Sequence, residues 1–320
     1  MHEVLKRIGE IGIVPVIKIT DISKAADLAK ALCDGGLPCA EVTFRAAGAA
    51  QAIKSIVRSA PDMLVGAGTV LTCAQADEAI EAGARFIVSP GLNPKVVRHC
   101  IARGVPITPG CATPSDIEAA LELGLEVVKF FPAESLGGLP MIKALSAPYG
   151  SLRFIPTGGI NAANLNSYLS FNKILACGGS WMVSEALIAD GKFAEITALA
   201  RQAVSVMLGF ELAHVGINGG SEQEAELISS AFCDLFGFEK KPGNSAIFAG
   251  ALVEVMKSAG RGARGHIGFS TNSLPRAAAM LKGKGVEFLE DTMRYGEDGQ
   301  LKFAYLKQEI GGFAVHLLQK

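Results

Sequence analysis

A lysine inside an apolar run is the residue most able to do chemistry in this chain. Lys129 sits in Val127-Val128-Lys129-Phe130-Phe131-Pro132-Ala133-Glu134. Read as a strand, the run places Val127, Lys129 and Phe131 on one side and Val128 and Phe130 on the other. Both sides are apolar, as in a strand buried within a parallel sheet. An ammonium ion there carries a large desolvation cost. Pro132 stops the ladder, so Lys129 falls near the strand's C-terminal end. A neutral amine in that place can attack a carbonyl and form a Schiff base. A lysine that snorkels from the strand end to solvent is the competing reading.

Other residues widen the choice. Glu41-Val42-Thr43-Phe44-Arg45 puts Glu41, Thr43 and Arg45 on one face of a strand. That pattern reads either as a structural ion pair or as a proton-transfer carboxylate beside a guanidinium clamp for a carboxylate. Two glycine pairs, in Thr157-Gly158-Gly159-Ile160-Asn161 and Gly178-Gly179-Ser180, let backbone N–H groups approach a phosphate. Tight turns use glycine for other reasons too, so each pair alone says little. Late in the chain His214-Val215-Gly216-Ile217 is echoed by His266-Ile267-Gly268-Phe269.

The elements that must position these residues fall into two textures. Through about residue 208, a short β-branched run, a turn and a helical pattern repeat. Strands are expected at Ile13–Ile19, Ala40–Phe44, Met63–Val65, Arg85–Val88, Val105–Thr108, Val127–Phe131, Arg153–Pro156 and Lys173–Cys177. A helix or helix-like segment follows each, the last over Lys192–Leu208. Eight such units in about 200 residues predict an α/β fold, a closed (β/α)8 TIM barrel, with an open doubly wound sheet as the alternative. In a barrel the site forms at the C-terminal strand ends, and phosphate is often bound after strands seven and eight. From Phe210 onward, each histidine segment leads into an amphipathic helix, a glycine turn and a closing strand. The closing strands are Leu252–Lys257 and Phe313–Leu318. An internal duplication is the economical reading. The expected domains are therefore 1–208 and 209–320.

The motifs of the first domain, taken in order, are Glu41-Val42-Thr43-Phe44-Arg45, Gly66-Ala67-Gly68-Thr69-Val70, Ser89-Pro90-Gly91, Lys129 to Glu134, Arg153 to Ile160 and Gly178-Gly179-Ser180-Trp181. With them, residues 1–207 resemble the 2-keto-3-deoxy-6-phosphogluconate aldolases, often also active as 4-hydroxy-2-oxoglutarate aldolases. The resemblance implies a class I, metal-free lyase of the Entner-Doudoroff pathway. It would reversibly cleave the phosphorylated sugar acid to pyruvate and glyceraldehyde 3-phosphate, and 4-hydroxy-2-oxoglutarate to pyruvate and glyoxylate. It implies a pyruvate Schiff base on Lys129, proton transfer by Glu41, and a pyruvate carboxylate held by Arg45 and Thr69. Pro90, Phe131 and Thr157 would line the reacting centre, and Gly158, Gly159, Gly178, Gly179 and Ser180 would bind phosphate. A homotrimer assembled through the barrel is implied as well. Cys111-Ala112-Thr113-Pro114 departs from a more serine- and threonine-rich loop in the family, which bears on substrate preference. The alternatives are an aldolase for a related keto-deoxy sugar acid, such as the galactonate epimer, and a phosphate-binding sugar isomerase that uses no imine.

Residues 211–320 resemble the vicinal oxygen chelate family, which includes glyoxalase I and extradiol dioxygenases. The resemblance implies a smaller α+β domain of duplicated βαβββ modules. It also implies a divalent metal held at His214, Glu254, His266 and His316, which include three of the chain's five histidines. Zn, Ni, Fe and Mn all suit such ligands. His316 stands where glyoxalases carry a glutamate base, so both a different metal-dependent chemistry and a non-catalytic binding module remain open. Packing histidines without a metal is the bland reading.

Composition excludes other classes. A formal net charge of −1 gives no reason to expect nucleic acid or an anionic membrane as partner. No apolar run is long enough to span a bilayer, and the first residues carry early charges without an apolar run behind them. Seven cysteines without a C-x-x-C pair suggest reduced thiols in a cytoplasmic protein.

Overall fold

Strand formation in the first part of the chain follows its punctuation: after the first strand, glycine or proline lies between each apolar run and the helix that follows it. In the computed structural model, which describes residues 1–320, the chain divides into two units, Met1–Met207 and Leu208–Lys320. The first unit's strands are β1 Ile13–Ile17, β2 Cys39–Thr43, β3 Leu64–Gly68, β4 Phe86–Ser89, β5 Ile107–Pro109, β6 Val127–Phe130, β7 Arg153–Pro156 and β8 Cys177–Gly179. Its helices are α1 Glu3–Ile11, α2 Ala25–Asp34, α3 Ala49–Ser59, α4 Cys73–Glu81, α5 Pro94–Ala102, α6 Pro114–Glu122, α7 Gly138–Ser146, α8 Leu165–Leu169, α9 Glu185–Ala189 and α10 Phe193–Leu208. Side-chain caps start several of them. Thr113 and Asp116 form a reciprocal capping box at α6, directly after β5.

Six strands hydrogen-bond in the order β5-β4-β3-β2-β1-β8, and β6 pairs with β7. Parallel bridges close the two remaining seams, Gly110 to Lys129 and Thr157 to Gly178. The ring is therefore a parallel TIM-type barrel, whose interior is filled by side chains in layers. Several bounds differ from the sequence expectation: β1 ends at Ile17, β3 runs on through Gly68 and β5 is Ile107–Pro109, and two differences matter more. A helix, α1, precedes β1; its Val4, Leu5, Ile8 and Ile11 are buried, which is the apolar stripe of a helix laid on a core. And β8 is Cys177–Gly179 rather than Lys173–Cys177, so the glycine pair read as a turn is itself strand. The cause is space. A Cβ on Gly178 would sit 2.3 Å from Thr157 Oγ1, and one on Gly179 would sit 2.0 Å from the Trp181 ring.

The second unit is one eight-stranded mixed sheet. Its elements run β9 Glu211–Asn218, α11 Glu222–Phe236, β10 Lys240–Pro242, β11 Ala246–Ala249, β12 Val253–Met256, β13 His266–Thr271, α12 Leu274–Gly283, β14 Arg294–Tyr295, β15 Leu301–Tyr305 and β16 Ala314–Gln319. The spatial order is β10-β11-β12-β9-β13-β16-β15-β14, with β9 and β13 antiparallel at the centre. On one face Ile247 and Val255 pack with Ala225 and Ile228 of α11. The strands β10, β11, β14 and β15 were not individually visible in the sequence. No helix of the chain is long and apolar enough to cross a membrane.

Candidate active site and metal centre

Lys129 lies on β6 with its side chain inside the barrel, and the residue is 6% exposed. Its Nζ donates to Glu41 Oε1 on β2 at 3.2 Å, and Glu41 is 3% exposed. A small cavity of about 10 Å³ adjoins the pair, lined by Ile8, Val14, Glu41, Phe86, Val88, Thr108, Lys129, Ile155 and Thr157. The lining shows which strand positions face inward, and β3 contributes only backbone there. Gly68 leaves room for the carboxylate, since a Cβ on it would be 2.1 Å from Glu41 Oε1. Gly66 does the same for the Phe86 ring at 2.4 Å. Burial of a lysine and a glutamate is costly unless they pair, and here they do. The Thr157 hydroxyl is buried beside them without a hydrogen-bond partner, a polar group pointed at the reacting space.

The remaining expected residues surround the barrel mouth. Thr43 donates to the Ile17 carbonyl at 2.8 Å, and Arg45 Nε reaches Thr43 Oγ1 at 3.3 Å from the exposed turn after β2. Glu41 thus pairs with Lys129, and the Glu41–Arg45 ion pair considered from sequence does not form. Thr69 holds a left-handed backbone, φ 57°, at the end of β3, a conformation unusual for a side chain branched at Cβ. Phe131, 40% exposed, lies just past β6 with its ring centroid 5.3 Å from Lys129 Nζ. The Phe131–Pro132 peptide is cis. Pro90 caps the β4 end, where its carbonyl approaches Gly110 closely enough to exclude a Cβ. Gly158 and Gly159 both have positive φ, 99° and 84°, and follow β7. Gly178 and Gly179 are buried in β8, and Ser180 is exposed after it. Cys111, in the departing loop after β5, is buried, and burial pushes its thiol up to about 12.

Sequence reasoning passed over Thr108, buried in β5 and facing the cavity, and Glu134, which accepts a hydrogen bond from the Tyr168 hydroxyl and lies against Gly159. A Cβ on Gly159 would meet Glu134 at 2.4 Å, so that glycine is required by the Glu134 side chain. The signal for Thr108 was available: it alternates with Ile107 at the end of a short apolar strand.

The second unit brings its four expected residues together. His214, His266 and His316 present ring nitrogens within 4.8 Å of one another. Glu254 Oε2 lies 3.1 Å from His266 Nε2 in a hydrogen bond. It is also 3.2 Å from His214 Nε2, but out of line for one. Glycines again make the space: Gly216 lies under the His266 ring, and Gly268 under His316 and His214. His214 Nε2 and both ring nitrogens of His316 are buried with no hydrogen-bond partner. Burial, and then the two neighbouring imidazoles, push His316 down to about 3, and burial lowers His214. The hydrogen bond from His266 holds the Glu254 carboxyl below its ordinary value. Neutral imidazoles with orphaned lone pairs beside an ionised carboxylate are the donor set a divalent metal takes.

A parallel barrel with a buried lysine–carboxylate pair at its strand ends defines a class I aldehyde-lyase architecture. The chain belongs to the KDPG and KHG aldolase family, which it matches over residues 4–199. It is 50% identical over 207 residues to 2-dehydro-3-deoxy-phosphogluconate aldolase of Treponema pallidum, covering 65% of this chain and 99% of that one. Among solved structures it resembles the Zymomonas mobilis 2-keto-3-deoxy-6-phosphogluconate aldolase with 3-phosphoglycerate, at 42% identity and TM-score 0.58, over 62% of this chain and 94% of that one. It also resembles Legionella pneumophila KDPG aldolase with pyruvate captured as a covalent carbinolamine, at 37% identity and TM-score 0.60, over 62% and 97% of the two chains.

Proposed function

We propose that the first unit cleaves 2-keto-3-deoxy-6-phosphogluconate through an imine on Lys129. The observation that carries this reading is the buried contact of Lys129 Nζ with Glu41 Oε1 at 3.2 Å, in a ring of otherwise largely apolar side chains. The amine attacks the C2 ketone and water leaves, giving a protonated imine. Glu41 takes the C4 hydroxyl proton, the C3–C4 bond breaks, and its electron pair moves into the imine to form an enamine. Glyceraldehyde 3-phosphate departs, Glu41 returns the proton to C3, and water releases pyruvate from Lys129. The imine is the electron sink, so this chemistry needs no metal. The pyruvate bound covalently in the Legionella relative and the 3-phosphoglycerate in the Zymomonas relative support a keto acid and a phosphate as the two ends of the substrate.

In this reading Arg45 and Thr69 hold the ketoacid carboxylate, and Phe131 and Pro90 wall the mouth. The same reading gives the phosphate to backbone groups at Gly158, Gly159, Gly178, Gly179 and Ser180 and sets Thr157, which lines the cavity, beside the reacting carbon. Cleavage of 4-hydroxy-2-oxoglutarate follows the same steps. Borohydride reduction with pyruvate should add mass to the peptide bearing Lys129. Label on Lys18, which pairs with Glu185 at 2.8 Å, or on the exposed Lys143 would overturn the assignment. A trimer through the barrel belongs to this reading, with a native mass near three times 33.3 kDa. So does a reducing cytoplasmic setting, which seven free cysteines support.

For the second unit, we propose two copies of one βαβββ module and a divalent metal held by His214, Glu254, His266 and His316. Strand, helix and three strands succeed one another twice, and the orphaned nitrogens of His214 and His316 favour a metal over packing alone. Such a metal, when bound, supplies a Lewis acid for a ligand oxygen. Elemental analysis of the purified chain tests this: one equivalent of Zn, Ni, Fe or Mn is expected, lost in His266→Ala.

A further inference from the structure

Cross-strand register places a continuous row of side chains on the sheet face opposite α11. Residues directly paired across strands share a face, as do residues two apart along one strand. Phe248 pairs with Glu254, Glu254 with Gly216, and Gly216 with His266. His214, two residues before Gly216, pairs with Gly268, and Gly268 with His316. His316 pairs with Tyr305; Phe303, two residues before Tyr305, pairs with Arg294. The row therefore runs from the histidine cluster through two aromatic rings to a guanidinium. Ring centroids of Tyr305 and Phe303 each lie 4.8 Å from that of His316.

Two arginines cover these rings. Arg294 lies over Phe303 at 5.2 Å and Arg261 over Tyr305 at 5.6 Å. Arg261 comes from the β12–β13 loop, which Asn218 anchors: its Oδ1 accepts from Gly260 N at 3.1 Å and its Nδ2 donates to the Gly262 carbonyl at 3.0 Å. Arg261 pairs with Asp291 at 3.1 Å, whereas Arg294 has no acidic partner. With Asp291 offsetting Arg261, the Arg294 guanidinium, one ring away from the histidine cluster, is the cation on this face without an acidic partner. Guanidinium forks favour planar, bidentate oxyanions.

We propose that Arg294 and Arg261 form an anion subsite beside the histidine cluster. It takes a small molecule with a carboxylate or phosphate at one end and an oxygen donor that reaches the cluster at the other. Tyr305 and Phe303 are the apolar wall along which the ligand lies. The inference rests on reading the cluster as the functional centre of the second unit.

The test uses the full chain with 15N-histidine labelling, as prepared and after zinc loading, with zinc content measured separately. Sodium lactate, inorganic phosphate and the uncharged analogue lactamide serve as probes. The ring signals of His214, His266 and His316 should shift with an anion and not with lactamide, while those of His2 and His99 stay still. In Arg294→Gln, and further in the Arg261→Gln/Arg294→Gln pair, the midpoint should rise by roughly tenfold or more at unchanged zinc content. A stronger response to lactate identifies a carboxylate ligand, and one to phosphate a phosphorylated ligand. Equal shifts with lactamide, no shift with either anion, or unchanged midpoints in both variants would overturn the subsite. Failure to hold zinc or any other metal sinks only the metal reading, because the anion response and its loss in Arg294→Gln are read on the metal-free chain too.

Discussion

Lys129 and Glu41 stand 88 positions apart in sequence, on β6 and β2, yet meet at 3.2 Å inside the barrel with no other charged group lining the cavity beside them. Each is the other's sole ion-pair partner. That isolation makes the pair sensitive to small steric changes nearby, because the cavity lining holds no second charge to replace either partner once they separate.

Gly68→Ala is the sharpest such change. Its new Cβ would lie 2.1 Å from Glu41 Oε1, and the atom it strikes is the tip of a flexible side chain, so the carboxylate swings away while the strand stays. A loss in kcat of about 100-fold or more is expected, matching Glu41→Gln, as the proton carrier is misplaced in both. The melting temperature should fall by roughly 10 °C, the effect of the about 3–5 kcal/mol that separating a buried ion pair costs. Full activity in Gly68→Ala would show that Glu41 need not keep this position.

Lys129→Ala should remove turnover by at least about 1,000-fold and abolish trapping by pyruvate and borohydride. Circular dichroism should still report a folded barrel, since the backbone of residue 129, whose carbonyl accepts from Cys111 N at 2.8 Å, keeps that seam closed.

Cys111 lies at the mouth yet should be inert. Its thiol is raised to about 12 by burial and then by Asp116, so at pH 8 only about one part in 10,000 is thiolate, the reactive form. Iodoacetamide should label the partly exposed Cys73 well before Cys111. Early loss of aldolase activity together with Cys111 labelling would contradict this ordering.

In the second unit, His316→Leu removes two buried nitrogens that have no partner in the metal-free chain. The metal-free variant should gain about 1–3 kcal/mol in denaturant unfolding, while the rise in melting temperature on adding zinc should disappear. Loss of stability in the metal-free variant would mean that the ring is satisfied in some other way. Gly216→Ala probes the same centre from below. Its Cβ would sit 2.0 Å from the His266 ring, and zinc content should fall well under one equivalent.

Glycine and proline punctuation made most of the barrel strands legible, together with the lysine run that ends at Pro132. The two-residue glycine pair at 178–179 misled for a physical reason: those glycines are small because Thr157 and the Trp181 ring press against them, not to turn the chain. Helix α1 escaped because nine residues with charges between their apolar positions carry little weight by themselves. Glu41's partner was also invisible. Along the strand it looks toward Arg45, and only closure of the ring brings Lys129 to it. The histidine cluster was readable from the repeated His-x-Gly, whereas Arg294, Phe303 and Tyr305 acquire meaning only through cross-strand register.

Helix α1 changes what kind of container the barrel is. Ile8, 1% exposed, lines the cavity next to Glu41 and Lys129, so the helix that enters β1 also floors the chamber. Ile8 closes the cavity on the side away from the C-terminal strand ends. The keto acid, the departing aldehyde and the water that frees pyruvate must all pass the rim where Phe131 and Arg45 stand. A bound aldehyde at that rim shields the enamine from bulk water until it leaves.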